Sequence, residues 1–236
     1  RAGFISSNVA NQGLWDMQAD ANRSYAGGIA SNFINSGTFR KSAGSGSTVI
    51  SSNVVFTNPG RIEAMSGTIQ LPANFVNPGT IAGTATVQTS LLTNNGHVAP
   101  GASVGTLTLA GNFAQGAGGF FDVDLNVLGH SDLLVVTGTA TLGGALALNC
   151  FGACSLAVGD EVLILDAGGP LAGTFVGAPT LAGFATGAFD VIYDEPNGDV
   201  WLRVTETVTA VPEPGTWALM FAGLALTAVV VRRRRS

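Results

Sequence analysis

Residues 56–81 read FTNPGRIEAMSGTIQLPANFVNPGTI, and this stretch decides the fold. It holds one phrase twice: Asn58-Pro-Gly60-Arg-Ile62 led by Phe56, and Asn77-Pro-Gly79-Thr-Ile81 led by Phe75. Proline presets φ at the second position of a turn, and glycine at the third accepts positive φ. Each phrase therefore predicts a type II turn, with Gly60 and Gly79 at positive φ. A looser form, Asn-x-Gly-x-apolar, occurs three more times: Asn11-Gln-Gly13-Leu-Trp15, Asn35-Ser-Gly37-Thr-Phe39 and Asn94-Asn-Gly96-His-Val98. Val9, Phe33 and Leu92 lead these copies, and successive starts are 24, 23, 19 and 17 residues apart. A period near 20 residues is the mark of a solenoid or array.

The flanks fit that reading. Thr48-Val-Ile50, Val54-Val-Phe56, Thr68-Ile-Gln-Leu71 and Thr84-Ala-Thr-Val87 are short and rich in β-branched residues, which predicts strands of three to five residues. One coil of such strands cannot bury its own apolar face, whereas stacked coils bury a continuous core. Asn35, Asn58, Asn77 and Asn94, brought to one place in successive coils about 4.8 Å apart, can form a ladder of amide hydrogen bonds. A β-sandwich whose hairpins use Asn-Gly turns is the alternative.

Composition agrees with a stack. The chain has 236 residues, 46% hydrophobic, 11% charged and including 33 glycines. Globular domains usually carry about 25% charge. Like residues repeated along an axis would pile like charges together, so Thr, Ser, Asn and Gly are the residues that stack without repulsion. The formal net charge of −5, with Lys41 the only lysine, argues against nucleic-acid binding. The charge is also uneven. Residues 1–115 balance at +2, residues 116–231 set Arg203 against twelve acids, and the last five residues hold four arginines.

The end of the chain reads as a membrane or sorting signal. Trp217 to Val231 is 15 uncharged residues, followed by Arg232, Arg233, Arg234 and Arg235. As a helix it would span about 22 Å, slightly short of the roughly 30 Å hydrocarbon core. Trp217 suits one interface, and the arginines would stay cytoplasmic. A buried core helix is the alternative, but it would set four arginines against a core. Ahead of it stands Val211-Pro-Glu-Pro-Gly215, where two prolines enforce extended, unpaired backbone. Pro212, Glu213 and Pro214, then a short apolar helix and an arginine cluster, resemble the PEP-CTERM sorting signal over roughly residues 210–236. That resemblance implies an exported protein of a Gram-negative bacterium, recognised by an exosortase-type membrane enzyme and often associated with exopolysaccharide. An export signal would then lie upstream of Arg1, and the chain is expected to be part of a longer one.

The middle carries a second resemblance. Ala99-Pro-Gly-Ala-Ser-Val-Gly-Thr-Leu-Thr-Leu-Ala-Gly-Asn-Phe113, Phe120 to Val127, and Ser131-Asp-Leu-Leu-Val-Val-Thr-Gly-Thr-Ala-Thr-Leu-Gly-Gly-Ala-Leu-Ala-Leu148 resemble the passenger repeats of autotransporters. The likeness extends over about residues 95–205 and implies a right-handed parallel β-helix. Autotransporters end in a membrane β-barrel, which is not read here, so secretion through such a barrel is not implied. The expected organisation is β-solenoid repeats over 1–140, an antiparallel β cap over 141–205, a linker with the Pro-Glu-Pro motif over 206–216, a membrane helix over 217–231 and a basic tail over 232–236.

Candidate chemistry is thin. His97 and His130 read as turn decoration, and Asp122 and Asp124 as a solvated strand face. The Gly129-His-Ser-Asp132 string resembles a calcium β-roll repeat, but in one copy. Residues 116–200 hold no Lys or Arg, so the base and charge neutraliser of a polysaccharide lyase are missing there. Cys150 and Cys154, in an oxidising compartment, are expected to form a disulfide. No catalytic residue, metal or cofactor is assigned. The expectation is an exported, non-enzymatic surface or matrix protein whose partners are an exosortase-type enzyme, the inner membrane, and exopolysaccharide or other surface proteins. The alternatives are a polysaccharide-active enzyme with its catalytic part upstream and a secreted cation- or ligand-binding module.

Overall fold

Short alternating strands, broken at small-residue corners, coil into a three-sided stack. The computed structural model describes residues 8–20, 22–23, 31–126, 130–152 and 154–211, and among them every regular element is a strand. The predicted membrane helix, with Trp217 and Arg232 to Arg235, lies outside the described residues, as do Pro212, Glu213 and Pro214.

The second side of the stack is the most regular. Leu14–Met17, Thr38–Lys41, Arg61–Ala64, Thr80–Gly83, His97–Pro100, Phe120–Leu125, Ala145–Cys150 and Thr180–Ala182 form one eight-stranded parallel sheet. Its inward column is Trp15, Phe39, Ile62, Ile81, Val98, Phe121 and Leu146, each in register with the next. From Phe39 onward these are buried. The first side stacks Phe75, Leu92, Phe113, Ala140 and Leu171, and the third stacks Ile69, Val87, Leu109, Val136 and Ala167. Each apolar rung thus lies on another apolar rung, at roughly 1.5–3 kcal/mol per fully buried large side chain. This is the parallel β-solenoid that the repeat implies, not a sandwich.

On the first side, Val54–Thr57 and Phe75–Asn77 form no ladder, since the three-stranded sheet ends at Val54–Thr57. Stacking of Phe56 on Phe75, with centroids 5.7 Å apart, spans that gap. Higher up, Thr86–Asn94 and Thr106–Gln115 run straight round the corner and serve two sides each.

The stack ends in antiparallel pairing, but later than residue 141. Ala140–Leu142 and Ala145–Cys150 still pair parallel with the next coil, at Leu171–Gly173 and Thr180–Ala182. Among the described strands, the antiparallel ladders are those of Asp199–Ala210 with Glu161–Ala167, Ser155–Leu156 and the closing strand Phe184–Asp194. The reason is spacing. The alternating Ala145–Leu148 run keeps the coil register, and the two-strand return waits for the turn at residues 195–198.

Candidate functional site

The repeated asparagines line one corner. Each side-chain amide donates to the next carboxamide oxygen up the stack: Asn11 to Asn35 at 2.7 Å, Asn35 to Asn58 at 2.6 Å, Asn58 to Asn77 and Asn77 to Asn94 at 3.0 Å. The same amides also donate to backbone carbonyls of the next coil, at Thr38, Arg61, Thr80, His97 and Phe120. Gln115 takes the sixth rung, being level with Asn94. It is one methylene too long. Its amide donates past the ladder to the Gly143 and Ala145 carbonyls, and its Oε1 is left buried without a partner.

The glycines beside them are not type II turn glycines. Gly37, Gly60, Gly79 and Gly96 do not have positive φ. They are glycine because the coils touch there. A Cβ on Gly60 would lie 2.2 Å from the Gly37 carbonyl oxygen, and one on Gly79 would lie 2.2 Å from that of Gly60. Those oxygens accept the Arg61 and Thr80 N–H groups at 2.8 Å, so the close approach is itself a ladder hydrogen bond. The motif was legible, but its reason was not: a contact one coil away leaves no mark in local turn chemistry.

The charged residues that the sequence scattered are gathered on the outward side of the second sheet. Counting five residues on from each repeat asparagine gives Asp16, Arg40 and Glu63, which are in register and alternate in sign. That alternation was the signal available in the sequence. Glu63 accepts from Arg40 Nε at 2.5 Å and from Arg61 Nε at 2.7 Å. Burial raises the Glu63 carboxyl, but the Arg61 and Arg40 bonds outweigh it and hold it below its usual range. A groove of about 400 Å³ opens beside this trio, with Gly83 and Gly101 also on its lining.

His97 stands above. It opens a strand rather than decorating a turn, stacks on Phe120 with centroids 4.8 Å apart, and lies 2.7 Å from Asp122 through Nδ1. Burial pushes the Asp122 carboxyl up, against the pull of His97. Asp124 accepts from Asn149 at 2.9 Å. Among the described residues no three His, Cys, Asp or Glu side chains converge as a metal site. His130 is exposed and lies just past residues 127–129, which are outside the description.

Two buried ionisable groups escaped the sequence reading. The Lys41 side chain is fully buried and donates to Asp20 and to the Ala43 carbonyl, both at 2.8 Å. Asp132 is 1% exposed and accepts backbone N–H bonds from Gly105 and Asp124 at 2.8 and 2.9 Å. Burial pushes its carboxyl up to about 8, against those two donors. Cys150 and Cys154 form a disulfide with Cα atoms 5.7 Å apart.

The last strand, Asp199–Ala210, is held on both edges, and Val211 N–H still donates to the Gly183 carbonyl at 3.0 Å. The stretch of chain from the end of this strand onward decides the cellular context. Residues 210–235 match the PEP-CTERM protein-sorting motif. The motif marks an exported protein, sorted to the cell envelope or surface and processed by an exosortase-type enzyme. No curated protein matches the chain. The matched motif therefore begins at Ala210, the last residue of the final strand among the described residues.

Proposed function

We propose that the solenoid is a non-enzymatic surface rod, delivered by its PEP-CTERM motif and used for adhesion or matrix building in association with exopolysaccharide. The observation that carries this reading is the column structure itself. Coils stack hydroxyl on hydroxyl at Ser47, Thr68, Thr86 and Thr108, amide on amide at Gln70 and Gln88, and charges of alternating sign at Asp16, Arg40 and Glu63, which suits many weak contacts with a repetitive partner. The carboxylates of the second sheet's outward side pair with neighbours: Glu63 with two arginines, Asp122 with His97, Asp124 with Asn149. The rod would be held at the membrane through residues 217–231 until processing, with the acidic cap nearest the bilayer.

The test tracks the protein in the cell. With Pro212, Glu213 and Pro214 changed to alanine, the chain should stay in the membrane fraction, unprocessed, while the native chain reaches the surface fraction and the extracellular matrix. Normal release of the variant would contradict the sorting step. Turnover of exopolysaccharide by the purified chain would overturn the non-enzymatic role.

A further inference from the structure

Two columns on the outside of the second sheet pass from large rungs to small ones and back. One reads Arg61, Thr80, His97, Phe120, Ala145, each level with the next. In the other, Glu63 is level with Ala82 and Ala82 with Ala99. One rung further, Asp122 is the residue bonded to His97. Rungs repeat at about 4.8 Å, so the backbones of Arg61 and His97, two rungs apart, lie roughly 10 Å apart along the axis, and their side chains bracket a narrower slot. Thr80 and Ala99 are partly exposed on its floor, and Ala82 is buried beneath it. One wall is the Arg61–Glu63–Arg40 trio, and the other is the imidazole of His97 backed by Phe120.

We propose that this slot binds an acidic polysaccharide, with the Arg61–Glu63–Arg40 trio taking a sugar carboxylate and the His97 ring packing on the sugar face; this rests on the surface-rod reading above. Three observations carry it. First, each arginine engages Glu63 through Nε, so both terminal nitrogens of each guanidinium remain for a ligand. The two side chains are 36% and 42% exposed. Two guanidiniums against one carboxylate leave a net positive wall, and a guanidinium fork matches a carboxylate in geometry as well as charge. Second, Asp122 holds His97 at 2.7 Å and Phe120 stacks on one of its faces, which fixes the ring and leaves the opposite face toward the slot. A flat, fixed ring loses little entropy when a sugar packs on it. Third, the walls offer hydroxyl partners of both kinds. The Thr80 hydroxyl can donate or accept, and the Glu63 and Asp122 carboxylates accept from sugar hydroxyls. A neutral glycan would leave the guanidinium wall without its anion, and a polyanion without rings would leave the imidazole face uncovered.

The experiment uses the full chain in detergent micelles and three immobilised polymers: polygalacturonate, a uronate chain; dextran, a neutral glycan; and polyglutamate, an anion without sugar rings. Polygalacturonate should bind at least tenfold more tightly than either of the others and weaken as salt rises. Arg61→Gln and His97→Ala should each lower its affinity at least tenfold with the melting temperature kept. Thr80→Gln, which fills an outward floor position without touching the core, should do the same and serves if either of the others melts early. Equal binding of dextran or polyglutamate, or native affinity in these variants, would overturn the proposal. Neither result would touch the surface-rod reading, which fractionation of the sorting-motif variant decides separately.

Discussion

Asn58→Ala should be one of the most damaging single truncations in the rod, and Asn11→Ala one of the mildest, although the two residues hold the same place in the repeat. Asn58 is fully buried, accepts from Asn35 and donates to Asn77 and to the Thr80 carbonyl. Truncation leaves one hydrogen of the Asn35 amide and the Oδ1 of Asn77 buried without partners. At about 1–3 kcal/mol for each of these two unsatisfied groups, the loss is about 2–6 kcal/mol. Asn11 is the first rung among the described residues and is 8% exposed. Its removal strands only the Asn35 oxygen, at an end that water can reach, and should cost about 1 kcal/mol. For a domain of this size 1 kcal/mol shifts Tm by about 2–4 °C, so the two variants should melt roughly 4–24 °C and 2–4 °C below native. Urea unfolding followed by tryptophan fluorescence gives the free energies. The double variant Asn58→Ala/Asn77→Ala should lose less than the sum of the singles, because the bond between them is counted in both. Equal losses at positions 11 and 58, or strict additivity of 58 with 77, would show that the amides act as separate surface groups and not as a ladder.

Other consequences can be checked alongside. Gly60→Asn separates the two accounts of the repeat glycines: asparagine tolerates positive φ, so a turn requirement would spare it, whereas the 2.2 Å approach to the Gly37 oxygen predicts a collapse in Tm close to that of Gly60→Ala. Gln115→Asn should raise stability by about 1 kcal/mol, because the shorter amide can accept from Asn94 while still donating upward, ending the orphaned Oε1; an unchanged or lower Tm would count against the sixth rung. Lys41→Met, in a column with Met17 and Ala64, should melt at or above native, while Asp20→Ala should melt below it, since an unpaired buried ammonium is worse than an apolar chain. Asp132 titrates near 8 in the fold against about 3.9 in the unfolded chain, so the folded state holds the extra proton between these values and stability should fall as pH rises through that window. Denaturation measured from pH 5 to 9 should show that slope in the native chain and lose it in Asp132→Asn; identical slopes would refute the assignment.

Much of the core was legible because stacking is written along the chain. Phe33, Phe56, Phe75 and Leu92 precede each repeat asparagine and fill one inner side, and Phe39, Ile62, Ile81 and Val98 come after each glycine and fill the next. The asparagine ladder was legible for the same reason. The groove was not. Arg40, Arg61 and Glu63 read as isolated charges until their places are counted from the repeat asparagine. His97 and Asp122 are 25 residues apart and meet only because one coil separates them. Asp132 meets Asp124, eight residues earlier, through two bonds that no local pattern announces: its N–H donates to the Asp124 carbonyl and its carboxylate accepts the Asp124 N–H, both at 2.9 Å.

The sequence by itself determined the period, the inward columns and the sorting motif, since each is a pattern along one dimension. Only the tertiary structure decided which outward residues face each other and why the glycines are invariant within the repeat. Corner lengths vary from coil to coil: two residues lie between Asn94 and His97, but four between Gln115 and Phe120, which occupy the matching rungs. The hydrogen-bonded register between coils absorbs that difference. A contact one coil away therefore belongs to the stack, not to any local stretch of chain.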